Sequence, residues 1–231
     1  MDTMSSPGDV GVVTALPGEA AVLSLQEGDR LRVVVAGVGA QRSGQAARRL
    51  LDHGVKALAS LGVAGGLSRV LKPGDLILAE RLGSEAGPEH VSTDWNQSLL
   101  EAWTSSGVAV RFGSLWSHAK AVTSVHEKQQ LAARGYDIVD MEAAAVAHVA
   151  SEAGVPFVAI KCVCDPASRA VPPIALRLLR PDGRVRFSVL FPTLLRGPRM
   201  WRTLRCMSED FDAACAGLAR AVPVMVQSCR T

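Results

Sequence analysis

The feature that most constrains this chain is a regular alternation. Short runs of β-branched and apolar residues, each closed by glycine or proline, are separated by stretches with helical spacing. Residues 10–16 (VGVVTAL), 31–36 (LRVVVA), 55–61, 75–79 (DLILA), 108–115 and 155–164 read as strands. Their apolar character is nearly continuous, as expected of strands covered on both faces. Residues 41–53, 94–103, 124–131 and 141–153 read as helices. Ser124 and Glu127 have the capping-box spacing, the 141–153 stretch is rich in alanine, and Gly154 stops it. Pro156 suits the start of a strand, because it has no N–H to give to a ladder. Strands alternating with helices predict an α/β domain, a three-layer α/β/α arrangement with a mixed, twisted central sheet. Ligands of such sheets sit beyond the carboxyl ends of strands. That rule singles out residues 14–19, 60–67 and 162–165.

The chain has 231 residues, 48% apolar and 20% charged, which fits one domain spanning 1–231 with a sizeable core. The opening MDTMSSPG lacks the basic and apolar regions of a signal peptide, and no run reaches the roughly eighteen apolar residues of a membrane span. A cytoplasmic location is expected. The cysteines at 162, 164, 206, 215 and 229 are odd in number, so no disulfide framework is expected. Cys162 and Cys164 lack nearby partners at metal-ligand spacing, and they read as reduced, packed thiols.

Gly37 and Gly39 follow the second strand, but their spacing to Gly44 is wrong for a dinucleotide fingerprint. A tight strand-to-helix turn is the preferred reading. The five histidines are scattered and form no constellation. Three acids are better placed. Glu142 lies at the start of an apolar, alanine-rich helix, where burying it is costly unless its oxygens are used. It either grips paired hydroxyls, as on a ribose, or is a helix-start carboxylate favoured by the macrodipole. Asp165 ends the apolar strand VPFVAIKCVC, and Glu19 lies just beyond the first strand. Three acids at one edge suit general acid–base chemistry without a metal or an organic cofactor.

These residues also carry a resemblance. GVVTALPGE, AGVGA, LGVAGGL, KPGDLILAE, VDMEAAAVAHVA and VPFVAIKCVCDPA occur in that order. Together they resemble the purine and uridine phosphorylase and methylthioadenosine/adenosylhomocysteine nucleosidase superfamily, over about residues 9–170. The tail VPPIALRLLRPDGRVRFSVLFPTLLRGPRMWRTL is similar to the hopanoid-associated phosphorylase branch, whose members are linked to removing adenine from adenosylhopane. The resemblance implies that Asp165 protonates purine N7 and that Glu142 binds the ribose, with Met141 against the sugar. Glu19 would hold and activate the attacking water, and Val63, Ala64, Gly65 and Gly66 would form a turn lining the site. It implies a small-molecule nucleoside substrate, lipid-linked in the hopanoid-associated branch, and a homodimer or higher homo-oligomer. A methylthioadenosine or adenosylhomocysteine nucleosidase and a non-catalytic nucleotide-binding protein are the alternatives. Phosphate-using relatives place an arginine and a hydroxyl residue around the glycine-rich segment, where this chain has Ser60 and Val63. Water is therefore favoured as nucleophile. Phosphate stays possible as a co-substrate if Arg42 or an arginine of the tail replaces the missing one.

The net charge of +3 conceals an asymmetry. Residues 169–206 hold nine arginines against Asp182, a local +8, so the rest of the chain sums to −5. Within 185–206 the arginines alternate with Phe187, Phe191, Leu194, Leu195, Met200, Trp201 and Leu204, and Pro192 and Pro198 break any single continuous helix. The segment reads as a core-packing helix with a basic face, or as a peripheral contact with anionic lipid. Nucleic-acid binding is disfavoured.

Overall fold

A computed structural model describes residues 9–24, 31–89, 91, 93–178, 180, 182–184, 186, 188 and 197–228. Chain order is β1 (Val10–Thr14), α1 (Pro17–Ser24), β2 (Leu31–Val35), α2 (Ala40–Asp52), β3 (Ala57–Gly66), β4 (Leu76–Ser84) and β5 (Gly87–Glu89). There follow α3 (Thr93–Ser105), β6 (Arg111–Ser117), α4 (Val125–Ala133), β7 (Ile138–Asp140), α5 (Ala143–Ala153), β8 (Phe157–Asp165), α6 (Pro173–Leu178) and α7 (Pro198–Ser228).

The mixed sheet expected from the alternation is present. Strands run β2-β1-β3 in parallel, and β8 joins β3 in parallel and β4 antiparallel. Strand β4 pairs with β6, β6 with β7, and β7 returns antiparallel to β3. Five strands therefore close into a circuit, and the ends of β3, β7 and β8 are drawn together. Irregularities at Ala64/Gly65 and Ala79/Arg81 bend β3 and β4 into it.

Helices cover both sides. One core joins Leu58, Phe157 and Ala159 of the sheet to Ala46, Ala47 and Leu50 of α2 and Val146, Ala147 and Ala150 of α5. The other packs Val12, Leu61, Val158 and Ile160 against Leu99 and Trp103 of α3 and Leu218, Val222 and Met225 of α7. The Trp103 indole N–H donates to the Ala221 carbonyl at 2.8 Å, tying α3 to α7.

Several boundaries differ from expectation. Residues 62–66 are not a turn: they extend β3, and Gly65 and Gly66 pair with Val139 and Ile138. Helix α5 begins at Ala143 instead of residue 141, because Asp140 and Glu142 put their carboxylates to other uses. Strand β6 starts three residues late, at Arg111, and runs to Ser117. Pro198 opens α7, where the missing N–H costs nothing. The start of α7 exposes Trp201, Arg199, Arg202 and Arg205. The rest of the basic apolar segment, including Phe187, Phe191, Pro192, Leu194, Leu195 and Arg196, lies outside the described residues.

Close packing of α7 depends on Gly217. A Cβ there would lie 2.4 Å from the Cys162 sulfur and 2.9 Å from the Gly74 carbonyl oxygen. Gly217→Val should therefore reduce unfolding free energy by about 1–3 kcal/mol, the usual cost of overpacking, as read from urea denaturation. Unchanged stability would show that α7 is not seated this closely.

Candidate functional site

Glu19 sits in the first turn of α1, with 1% of its surface exposed. Its Oε2 accepts hydrogen bonds from the Thr14 hydroxyl at 2.5 Å and from the Ala15 and Leu16 amides at 3.0 and 2.8 Å. Its Oε1 accepts from the Val63 amide at 2.9 Å. The carboxylate thus latches the end of β1 to β3. Gly62 must lack a side chain for this, because its Cβ would stand 2.8 Å from Oε1. Oε1 keeps one acceptor position after the Val63 bond.

Glu142 is the N-cap residue of α5, but its carboxylate does not cap the helix. Asp140 does so instead, accepting from the Ala143 amide at 2.9 Å. Glu142 turns across to the loop after β2, where Oε1 accepts from the Gly39 amide at 2.7 Å. Its Oε2 accepts from the Met141 amide at 3.1 Å. The Gly37–Gly39 turn is thus a strand-to-helix connection that supplies a donor to this acid. Gly39 has φ of 104°, a backbone shape that suits glycine. Burial, together with the nearby Asp140 carboxylate, pushes the Glu142 carboxyl up to about 7, against the opposing pull of Lys161.

Beneath these acids lies Lys161, in the middle of β8 and 3% exposed. Its ammonium donates to Asp140 Oδ2 at 2.8 Å and to the Ser60 hydroxyl at 3.0 Å. Burial favours the neutral amine, but the charges of Asp140, Glu142 and Glu19 outweigh it and hold the ammonium above its usual range.

Asp165 is the last residue of β8. Its Oδ2 accepts from the ammonium of Lys128, a fully buried side chain of α4. The Ser124–Glu127 capping box starts that helix as the sequence predicts. Burial raises the Asp165 carboxyl above its ordinary range, while Lys128 and Arg169 oppose the rise.

Seven of the eight residues expected at the site, Glu19, Val63, Ala64, Gly65, Met141, Glu142 and Asp165, line one cavity of about 220 Å³, and Gly66 is not among its lining. Ala121 and Val122 contribute an apolar wall. A second cavity of about 300 Å³ shares Met141 and is walled by Ala40, Ala86, Ala119, Ala144 and Ala145. Among the described residues, no arginine or lysine lines the first cavity. Arg42 instead lines a separate polar depression with Gln41, Gln45 and Arg49. Arg169 is engaged by Asp210 and Cys206. Among the described residues, neither Arg42 nor Arg169, the first arginine of the tail, lines the cavity that holds the three acids. Among the described residues, no group of three or more His, Cys, Asp or Glu side chains is arranged to hold a metal ion.

Asp140, Lys161 and Lys128 were not singled out from the sequence. A lysine inside the apolar run VPFVAIKCVC was a usable signal for Lys161, because a buried ammonium demands an acid. Lys128 gave no such signal among polar neighbours.

The sequence profile of the phosphorylase superfamily matches residues 9–173, and the chain belongs to that family of enzymes. It is 28% identical over 154 residues to a DeoD-type purine nucleoside phosphorylase of Streptococcus thermophilus, spanning 60% of this chain and 70% of the relative. A Streptococcus pneumoniae (strain G54) protein of the same name is 27% identical over 152 residues, covering 60% of this chain and 64% of its own length. Among solved structures, futalosine hydrolase of Helicobacter pylori superposes with a TM-score of 0.74 at 18% identity, covering 96% of this chain and 98% of the other. The 5′-methylthioadenosine/S-adenosylhomocysteine nucleosidase of Neisseria meningitidis gives 0.74 at 19% identity, with 96% and 99% covered. These structural likenesses establish the shared fold.

Removing Lys161 would leave the Asp140 carboxylate buried without its partner cation. Lys161→Met is expected to cost about 3–5 kcal/mol of stability, measured by urea denaturation at neutral pH. A variant as stable as the wild type would mean that the pair does not hold the site together.

Proposed function

We propose that this enzyme cleaves the N-glycosidic bond of a purine nucleoside with water as the nucleophile. The observation that carries the reading is the meeting of Glu19, Glu142 and Asp165 in one cavity, with no basic side chain among its described lining. Bond cleavage leaves positive charge on the sugar and electron density on the base. Carboxylates around the sugar favour the first, and a proton delivered to the base relieves the second.

In this reading the base lies against Ala121 and Val122, and Asp165 gives its proton to purine N7. Its upward shift favours the protonated form that a general acid requires. Glu142 accepts hydrogen bonds from the ribose hydroxyls, with Met141 beside the sugar. Glu19 uses the open acceptor position on Oε1 to orient a water toward the anomeric carbon. A phosphate in its place would face three acids with no basic side chain among the described lining to neutralise it, so its desolvation would be poorly compensated.

The 5′ substituent is read from the neighbouring cavity. Its alanines and Met141 form a mostly apolar wall, although Glu85, His118 and His148 also border it. This supports an apolar 5′ group, and the resemblance of the tail supports adenosylhopane as the substrate. The structural likeness to 5′-methylthioadenosine/S-adenosylhomocysteine nucleosidase supports 5′-methylthioadenosine as the alternative.

Adenine release from both compounds tests the reading. Asp165→Asn should lower kcat by about two to four powers of ten in a protein that still shows a cooperative thermal melt; a normal rate would remove Asp165 from the mechanism. Turnover of 5′-methylthioadenosine but not of adenosylhopane would overturn the lipid-linked assignment alone. Glu142 accepts hydroxyl protons best as a carboxylate, and its carboxyl is pushed up to about 7. KM should therefore fall as pH rises from 6 to 8. Glu142→Gln should raise KM and flatten that dependence, and an unaltered slope would contradict the ribose-binding role.

A further inference from the structure

Lys128 is a buried charge beside the site that this reaction scheme leaves unused. Its neighbours Glu127 and Gln129 are exposed, whereas the Lys128 side chain has no exposed surface. A buried ammonium is expensive unless every N–H is used. Here all three are: one goes to Asp165 Oδ2, one to the Pro166 carbonyl at 2.9 Å and one to the Arg169 carbonyl at 3.0 Å. The two carbonyls belong to the chain that directly follows Asp165, so Lys128 clamps that segment to α4 and fixes one carboxyl oxygen. The other oxygen, Oδ1, lies by Gly65 of the cavity wall, 3.3 Å from where a Cβ on that glycine would stand.

Resting on the role given to Asp165 above, we propose that Lys128 is a positioning residue that sets the acidity of the general acid. It holds Oδ2 and stabilises the carboxylate left when Oδ1 gives its proton to the leaving base. The proton moves from Oδ1 to N7, and the O–H electron pair stays on the carboxylate. The electrons of the glycosidic bond flow into the purine, and Lys128 keeps its own protons. Burial alone would make Asp165 a protonated but reluctant acid. The adjacent ammonium converts the product carboxylate into half of an ion pair, which eases transfer.

Other charged or titratable groups face Asp165 or share its cavities. Arg169 follows β8, Glu19 comes from α1, Asp140 and Glu142 from the β7–α5 junction, and Arg202 and Asp210 from α7. The thiol of Cys164 is pushed up to about 12, chiefly by burial, and stays neutral in the working range. Lys128 is distinguished from the rest by direct contact with the Asp165 carboxyl.

The test is the pH profile of kcat for adenine release by the wild type, K128M, K128Q and K128R, each checked by thermal melting. The substrate is whichever of adenosylhopane and 5′-methylthioadenosine the wild type turns over. The protonated acid is the active form, so activity falls as pH rises through its pKa. Removing the ammonium raises that pKa. K128M and K128Q should shift the alkaline limb upward by about one to three pH units and lower kcat at neutral pH by about tenfold or more. K128R should keep the limb near its wild-type position. A limb that stays in place while kcat falls would overturn the proposal, as would failure of both neutral variants to fold, which would assign Lys128 to folding alone. A wild type that releases no adenine, or an active D165N, would instead strike the underlying reading of the site.

Discussion

The site depends first on one buried ion pair. Lys161 lies at the middle of β8, under the floor of the cavity, and its bond to Asp140 fixes the junction between β7 and α5. Asp140 in turn accepts from the Ala143 amide and starts α5, which frees the carboxylate of Glu142 to reach across to Gly39. Without that ammonium, Asp140, Glu142 and Glu19 would form an uncompensated acidic group in a low-dielectric interior, where like charges repel strongly. The cation permits acids to gather there, and they remain available because the cation sits behind them.

The second constraint is how the strands end. Closure of β3, β8, β4, β6 and β7 into a circuit draws the ends of β3, β7 and β8 to one place. Each delivers a different element: the Val63 amide that holds Glu19, the Asp140–Glu142 pair, and Asp165. Two of the acids have a lysine behind them or at their side, Lys161 near Glu142 and Lys128 at Asp165. Under the proposed mechanism, one lysine would sustain negative charge around the sugar and the other would moderate an acid beside the base. This separation of roles matches the charge that develops when a glycosidic bond breaks.

Much of this was legible in the sequence because it depends on local patterns. Apolar runs such as VGVVTAL and LRVVVA declare buried strands, and the Ser124–Glu127 spacing declares a helix start. Acids at the ends of apolar elements stand out because burial has to be compensated, which located Glu19, Glu142 and Asp165. Other features depend on distant partners. Strand β7 has three residues, too few for a periodic signal, and it exists because β6 and β3 pair with it. Residues 62–66 look like a turn because they are rich in glycine, whereas close packing against Glu19, Asp165 and Val163 is what requires small residues there. The burial of Lys128 is set by Asp165, 37 residues away, and no local rule reports it.

The central claim is that an acidic cavity with no arginine among its described lining residues directs water to the sugar. The most direct measurement is mass analysis of the sugar product formed in 18O-labelled water with inorganic phosphate present. The account predicts free adenine and a sugar carrying one atom of 18O at the anomeric position. Accumulation of an unlabelled sugar 1-phosphate would contradict it.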